Sequence, residues 1–145
     1  EGYGLSLPVI AKMQGKVDLI ITVDTGVTAI AEAKFAKSIG IDMVITDHHE
    51  CRADIPNAVA VINPHRPDCK SKFKELAGVG VVFKFLCACE ERFTGKSRAE
   101  SALSVVSEYA DLVAIGTIAD VMPIKEENRH YLVKRLVIIL IYILF

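Results

Sequence analysis

Residues 17–50 read VDLIITVDTGVTAIAEAKFAKSIGIDMVITDHHE, and their pattern decides the fold. Residues 17–23 (VDLIITV) make an apolar run of strand length, rich in Ile and Val, as expected of a strand buried on both faces. Residues 27–38 (VTAIAEAKFAKS) set Val27, Ile30, Ala31 and Phe35 at helical spacing, and Gly40 supplies a helix stop. Residues 41–46 (IDMVIT) form a second strand and, after a polar stretch containing proline, residues 58–62 (AVAVI) form a third. This order predicts βαβ connections, and hence a parallel sheet with helices on its faces.

The rest of the chain reads as helix. Residues 79–93 offer Val79, Val82, Phe83 and Leu86 as one apolar face, and residues 103–118 offer Leu103, Val106, Ala110, Val113 and Thr117. The expected class is therefore α/β, a parallel sheet flanked by helices, with a helical second half.

The length of 145 residues suits one domain, and 17 basic against 18 acidic residues argue against a generally polybasic surface. A local patch remains compatible with nucleic acid: residues 63–74 (NPHRPDCKSKFK) carry Arg66, Lys70, Lys72 and Lys74 against the single acid Asp68. The mean hydropathy of +0.37 is high for a soluble domain. Most of the excess lies in residues 136–145 (LVIILIYILF); the remainder averages about +0.14. Ten residues fall short of the ~20 that a membrane-spanning helix needs, so a buried element or a truncation artefact is expected there and no membrane association. No secretion signal opens the chain, and Cys51, Cys69, Cys87 and Cys89 lack a disulfide-framework spacing, which points to a reducing cytoplasm. A zinc site from Cys51, His65 and Cys69 lacks the paired Cys-x-x-Cys spacing.

Chemistry concentrates at three places. Asp24-Thr25-Gly26 follows the first strand, where parallel sheets bind ligands; Asp24 there either holds a metal or caps the next helix. Asp47-His48-His49-Glu50 follows the second strand. Neighbouring side chains point apart, so one imidazole is expected to bind metal while the other faces an anionic substrate, with Asp47 orienting an imidazole. Asp120 ends the last helix, at the negative end of its dipole, where a nearby cation would compensate. Asp24, His48 and Asp120 supply oxygen and imidazole donors without thiolate, a set that suits Mn²⁺ or Mg²⁺ better than structural zinc. Two such ions are the usual device of phosphoester hydrolysis, but these residues include too few carboxylates for two full ligand shells.

Asp47-His48-His49 is the signature of the DHH phosphoesterase superfamily, and Val23-Asp24-Thr25-Gly26 resembles its preceding acidic motif. Residues 76–81 (LAGVGV), 111–123 (DLVAIGTIADVMP) and Glu127-Asn128-Arg129 resemble the branch of RecJ-type exonucleases specific for single-stranded DNA, in family order from residue 1 to about residue 134. The resemblance implies Mn²⁺- or Mg²⁺-dependent hydrolysis of single-stranded DNA from its 5′ end, in repair and recombination. In that scheme Asp24 bridges two ions, His48 and Asp120 complete the second ion's shell, and His49 contacts the scissile phosphate. Asp47 joins His49 in the catalytic group, and His65, Arg66, Lys70, Lys72 and Lys74 join it in substrate binding.

The resemblance also implies an Asp-rich motif on a strand preceding Glu1 and a further domain that clamps the DNA. The expected organisation is a partial DHH phosphoesterase domain over residues 1–134, lacking its N-terminal strand and incomplete for catalysis, and an apolar truncation or frameshift tail over 135–145. Competing readings are a superfamily phosphodiesterase acting on short oligonucleotides or cyclic dinucleotides, and a non-catalytic nucleic-acid-binding or scaffold module.

Overall fold

The computed structural model describes residues 4–133, so the expectations for the apolar tail lie outside the described residues. The chain divides into two compact units, residues 1–71 and 72–145.

The first unit holds a short helix α1 (Leu7–Ala11), strand β1 (Leu19–Val23), helix α2 (Ile30–Ser38), strand β2 (Asp42–Thr46) and strand β3 (Ala60–Ile62). The three strands form one parallel sheet in the order β1-β2-β3, with Val23 opposite Thr46 and Thr46 opposite Ile62. The parallel α/β reading is correct. Only β1 to β2 crosses over through a helix; residues 47–59, between β2 and β3, contain none. The core comprises Ile10, Ala33, Ala36, Ile41, Met43, Ile45 and Val61.

Two packing expectations need correction here. β1 is not buried on both faces: Ile20 packs toward the core and Thr22 is buried, while Leu19, Ile21 and Val23 stay about half exposed. Side chains alternate along a strand, and the core that α1 and α2 complete lies on one side of β1. On α2, the buried stripe is Ala33 and Ala36, not Ile30 and Ala31. Alanines keep the side chains between helix and sheet short, whereas Ile30 lies in the opening turn and is 38% exposed. Gly40 acts as expected: at φ +80° it takes the left-handed position just past the helix, where a Cβ would be strained.

The second unit holds two long helices, α3 (Gly78–Thr94) and α4 (Arg98–Ala119), and residues 126–133 are also helical. Ser97 and Glu100 form a reciprocal capping box that starts α4, five residues ahead of the apolar pattern, and Gly95 at φ +69° ends α3. The core is Phe83, Val105, Val113 and Tyr131, with Phe83 and Tyr131 edge to face at 5.1 Å. The expected α4 face is correct at Ala110, Val113 and Thr117 and wrong at Leu103, which is 63% exposed. On α3, Val81 is buried where Leu86 was expected; Leu86 is 37% exposed. By length and composition α4 is long and apolar enough to cross a membrane; its buried stripe includes Ala110, Val113, Ala114 and Thr117.

α3 and α4 pack tightly where Gly116 meets Val79: a Cβ on Gly116 would lie 2.6 Å from Val79 Cγ1. Val79 is β-branched and has few rotamers to escape into. Gly116→Ala is therefore expected to lower stability by about 1–3 kcal/mol in urea denaturation. In a Val79→Ala background the same change should instead gain up to about 1 kcal/mol, the helix-propensity difference between Ala and Gly.

Candidate metal centre

The parallel register lines up the first residue past each strand. Asp24 follows β1, Asp47 follows β2 and Asn63 follows β3, and the ladder continues one step further: Asp24 N–H donates to Thr46 O (3.0 Å) and Asp47 N–H to Ile62 O (3.1 Å). Two buried threonines tie these ends together. Thr46 Oγ1 donates to Thr22 O (2.7 Å), and Thr22 Oγ1 donates to Thr25 O (2.6 Å). The turn needs Gly26, at φ +112°, where a Cβ would meet Thr22 Oγ1 at 3.1 Å and Ile45 Cγ2 at 3.2 Å.

Asp47 is 1% exposed, and its carboxylate accepts four hydrogen bonds. Val27 N–H reaches Oδ2 at 2.9 Å; His48 N–H, His49 N–H and His49 Nδ1 reach Oδ1 at 2.8, 3.2 and 2.7 Å. Burial by itself pushes the Asp47 pKa up, but the bonds from Val27, the His49 ring and the His49 and His48 amides outweigh it and hold the group below its ordinary value. The carboxylate therefore stays charged and fixes the Nδ1–H tautomer of His49, leaving Nε2 for other partners. Both oxygens of Asp47 are thus committed to holding the chain and the His49 ring in place.

Asp24 takes a left-handed φ of +62°, a conformation that Asp tolerates better than most residues and that costs about 1–2 kcal/mol. Its side chain does not cap α2; the N-cap is Ala29, and no side chain bonds there. Instead Asp24 Oδ1 sits 3.1 Å from His48 Nε2, buried and without hydrogen-bond geometry to any donor. Asp24, His48 and His49 each bring a ligand atom within 4.8 Å of the others. The two rings lie 4.6 Å apart at 59°. This corrects the expectation that the neighbouring imidazoles point apart. β2 ends at Thr46, so strand alternation no longer governs residues 48 and 49, and Asp47 draws the His49 ring back beside His48. An oxygen and two imidazoles, with a buried oxygen lacking a hydrogen-bond donor, fit a divalent ion. A cleft of about 350 Å³ adjoins the group, lined in part by Thr25, Gly26, Thr28, Glu32, Asp47 and His49.

Asp120 belongs to the second unit, exposed as the C-cap of α4 with its N–H donating to Gly116 O at 3.0 Å. His65 Nδ1 lies 3.1 Å from Glu50 Oε1. Arg66 is held locally: Nε and Nη2 bond Asp68 at 2.9 and 2.6 Å, and Nη1 donates to Val61 O. Its fork is thus occupied, while Lys70 and Lys72 are exposed. Lys74 is half-buried. Cys51, His65 and Cys69 do not form a metal-binding group among the described residues. Sequence reasoning missed the structural parts of Thr22, Thr46 and Asn63; a small polar residue at or just past each strand end was the available signal.

Asp47→Ala would strand the buried Val27 N–H and release His49. The expected loss is about 2–4 kcal/mol in urea denaturation. Glu50→Ala, removing an exposed side chain, should cost under about 0.5 kcal/mol.

The DHH family, N-terminal domain, matches residues 5–117. The chain is 45% identical over 130 residues to the single-stranded-DNA-specific exonuclease RecJ of Bacillus subtilis, covering 89% of this chain and 15% of that protein. It is 39% identical over 133 residues to RecJ of Escherichia coli, covering 89% of this chain and 23% of that one. Among solved structures, exonuclease RecJ bound to manganese superposes with a TM-score of 0.75 at 36% identity, over 90% of this chain and 31% of that one. RecJ of Thermus thermophilus in complex with Mn²⁺ gives 0.70 at 35% identity, over 88% of this chain and 18% of that one. The chain thus spans under a quarter of the length of these curated relatives. With the family match over most of its length and a parallel sheet carrying Asp24 and Asp47-His48-His49 at its strand ends, the chain belongs to the DHH family.

Proposed function

We propose that this chain is the part of a single-stranded-DNA-specific exonuclease that binds a divalent metal, and that it serves 5′-to-3′ hydrolysis of phosphodiesters in DNA repair and recombination in the cytoplasm. The observation that carries the reading is the gathering of Asp24, His48 and His49 within 4.8 Å around a carboxylate, Asp47, that is already saturated. Support comes from the similarity to RecJ proteins and to RecJ structures that hold manganese.

In this reading Asp24 and His48 would hold Mn²⁺ or Mg²⁺. Such ions, when bound, lower the pKa of water and offset the charge that builds on a phosphate. His49 acts beside them. With Nδ1–H given to Asp47, Nε2 is the ring nitrogen available to a phosphate oxygen and, when protonated, donates to it. Asp47 stays charged and stabilises that imidazolium, as a buried carboxylate does for a histidine in other hydrolytic sites. Asp24, His48 and His49 are a partial set for a two-ion reaction, which needs more carboxylates than these supply. His65, Lys70, Lys72 and Lys74 are assigned to the DNA strand, Arg66 to bracing the loop through Asp68.

Calorimetric titration of the 145-residue chain with Mn²⁺ tests the centre. Binding is expected, and Asp24→Ala or His48→Ala should weaken it by about tenfold or more with circular dichroism unchanged. Absence of binding by the unaltered chain, or affinity unchanged in both variants, overturns the assignment. No release of mononucleotides from 5′-ended single strands is expected of this partial set alone.

Charge reversal at Lys70, Lys72 and Lys74 tests the loop. If each lysine neutralises one phosphate, the slope of log affinity for single-stranded DNA against log salt should fall by about 2. An unchanged slope removes the loop from the binding surface.

A further inference from the structure

Asn63 has no part in the chemistry above, yet it is 4% exposed and both ends of its amide are committed. Nδ2 donates to the carbonyl of His49 at 2.9 Å, and Oδ1 accepts from His65 N–H at 2.7 Å. A second link runs alongside, with His65 Nδ1 3.1 Å from Glu50 Oε1. The exit of β3 therefore grips the His49-Glu50 dipeptide twice.

That grip has a mechanical purpose. His49 lies three residues beyond the end of β2, outside the ladder that fixes strand backbone, and its side chain is 57% exposed. Packing cannot hold such a residue. Asp47 restrains its ring and its N–H, but nothing in that set restrains its carbonyl. Asn63 supplies the missing restraint from β3, the strand paired to β2 on the side away from β1. A peptide fixed at both its N–H and its C=O has little freedom to swing, so the ring can keep its hydrogen bond to Asp47 and its place beside His48.

We propose that Asn63 is a positioning residue for His49, holding the imidazole in register with the Asp24–His48 pair through the His49 carbonyl; this rests on the reading of that cluster as the metal centre. A purely local role differs in its consequences. As a turn residue Asn63 would need only Oδ1, which caps the chain leaving β3 at His65 N–H.

Asn63→Asp separates the two roles, since it keeps an acceptor for His65 N–H and replaces the donor to His49 with an oxygen. The measurement is long-range ¹H–¹⁵N correlation of the histidine rings in the 145-residue chain, without metal and during titration with Mn²⁺. In the unaltered chain His49 should show one Nδ1–H tautomer and should broaden with Mn²⁺ together with His48. In Asn63→Asp the His49 ring should show mixed tautomers, and the Mn²⁺ needed to half-broaden it should rise about tenfold. Asn63→Ala, which loses both bonds, should do the same. A His49 tautomer and Mn²⁺ response in Asn63→Asp equal to the unaltered chain overturns the proposal and leaves a turn residue. Failure of the underlying reading looks different: neither ring broadens with Mn²⁺ in the unaltered chain, while the metal-free tautomer comparison still decides Asn63. Should both variants unfold, the unaltered chain still decides it. The Asn63 side-chain amide protons must exchange with water more slowly than those of exposed Asn57, and equal rates overturn the proposal.

Discussion

The Asp47 carboxylate is buried and charged, and an ion in that position is tolerated only if donors surround it. Four donors do so, and each constrains a different part of the first unit. Val27 N–H ties the turn after β1 to the end of β2, so the loops that carry Asp24 and Asp47-His48-His49 are joined. The His48 and His49 amides curl the chain immediately past β2, which ends strand alternation and turns both rings to one side. The His49 ring bond selects a tautomer. Removing the charge from this position would leave the sheet in place and scatter what stands on its edge.

Around that joint the structure accepts local costs. Asp24 holds a left-handed backbone, and its Oδ1 is buried without a hydrogen-bond donor. α2 begins without a side-chain cap because the acid that could have served it, Asp24, turns toward His48, while Asp47 meets the chain three residues before the helix. A left-handed backbone and a buried oxygen without a donor, both at Asp24, fit a site shaped for a ligand. The second unit solves a different problem. Gly116 lets α3 and α4 close up against Val79, and Thr117 turns its hydroxyl onto Val113 O inside the helix, so that a polar residue is buried at little cost. This sets the course of α4 up to Asp120.

Much of this was legible in residues 17–62, where each strand, the helix and its glycine stop show in the order of apolar runs and breakers. The acids and histidines at strand ends were legible too, since a parallel sheet presents its ligands there. The errors share a cause. Leu103, Leu86, Ile30 and the outer face of β1 were expected inside because they are large and apolar, and all lie at least 37% exposed. Periodicity reports that a face exists; which face a neighbour covers depends on small residues such as Ala33, Ala36 and Gly116, whose hydropathy is weak but whose size permits contact.

By itself the sequence determined the fold class, the DHH signature and the donor types, because these follow from hydrophobic period and residue chemistry, which are local. Only the tertiary structure decided what each acid does. Asp24 and Asp47 occupy equivalent places, each one residue past a strand, and nothing in their neighbours separates a carboxylate that faces a histidine from a strut. The distinction comes from Val27 N–H, twenty residues away in the chain and 2.9 Å away in space, which claims one carboxylate and leaves the other facing a histidine.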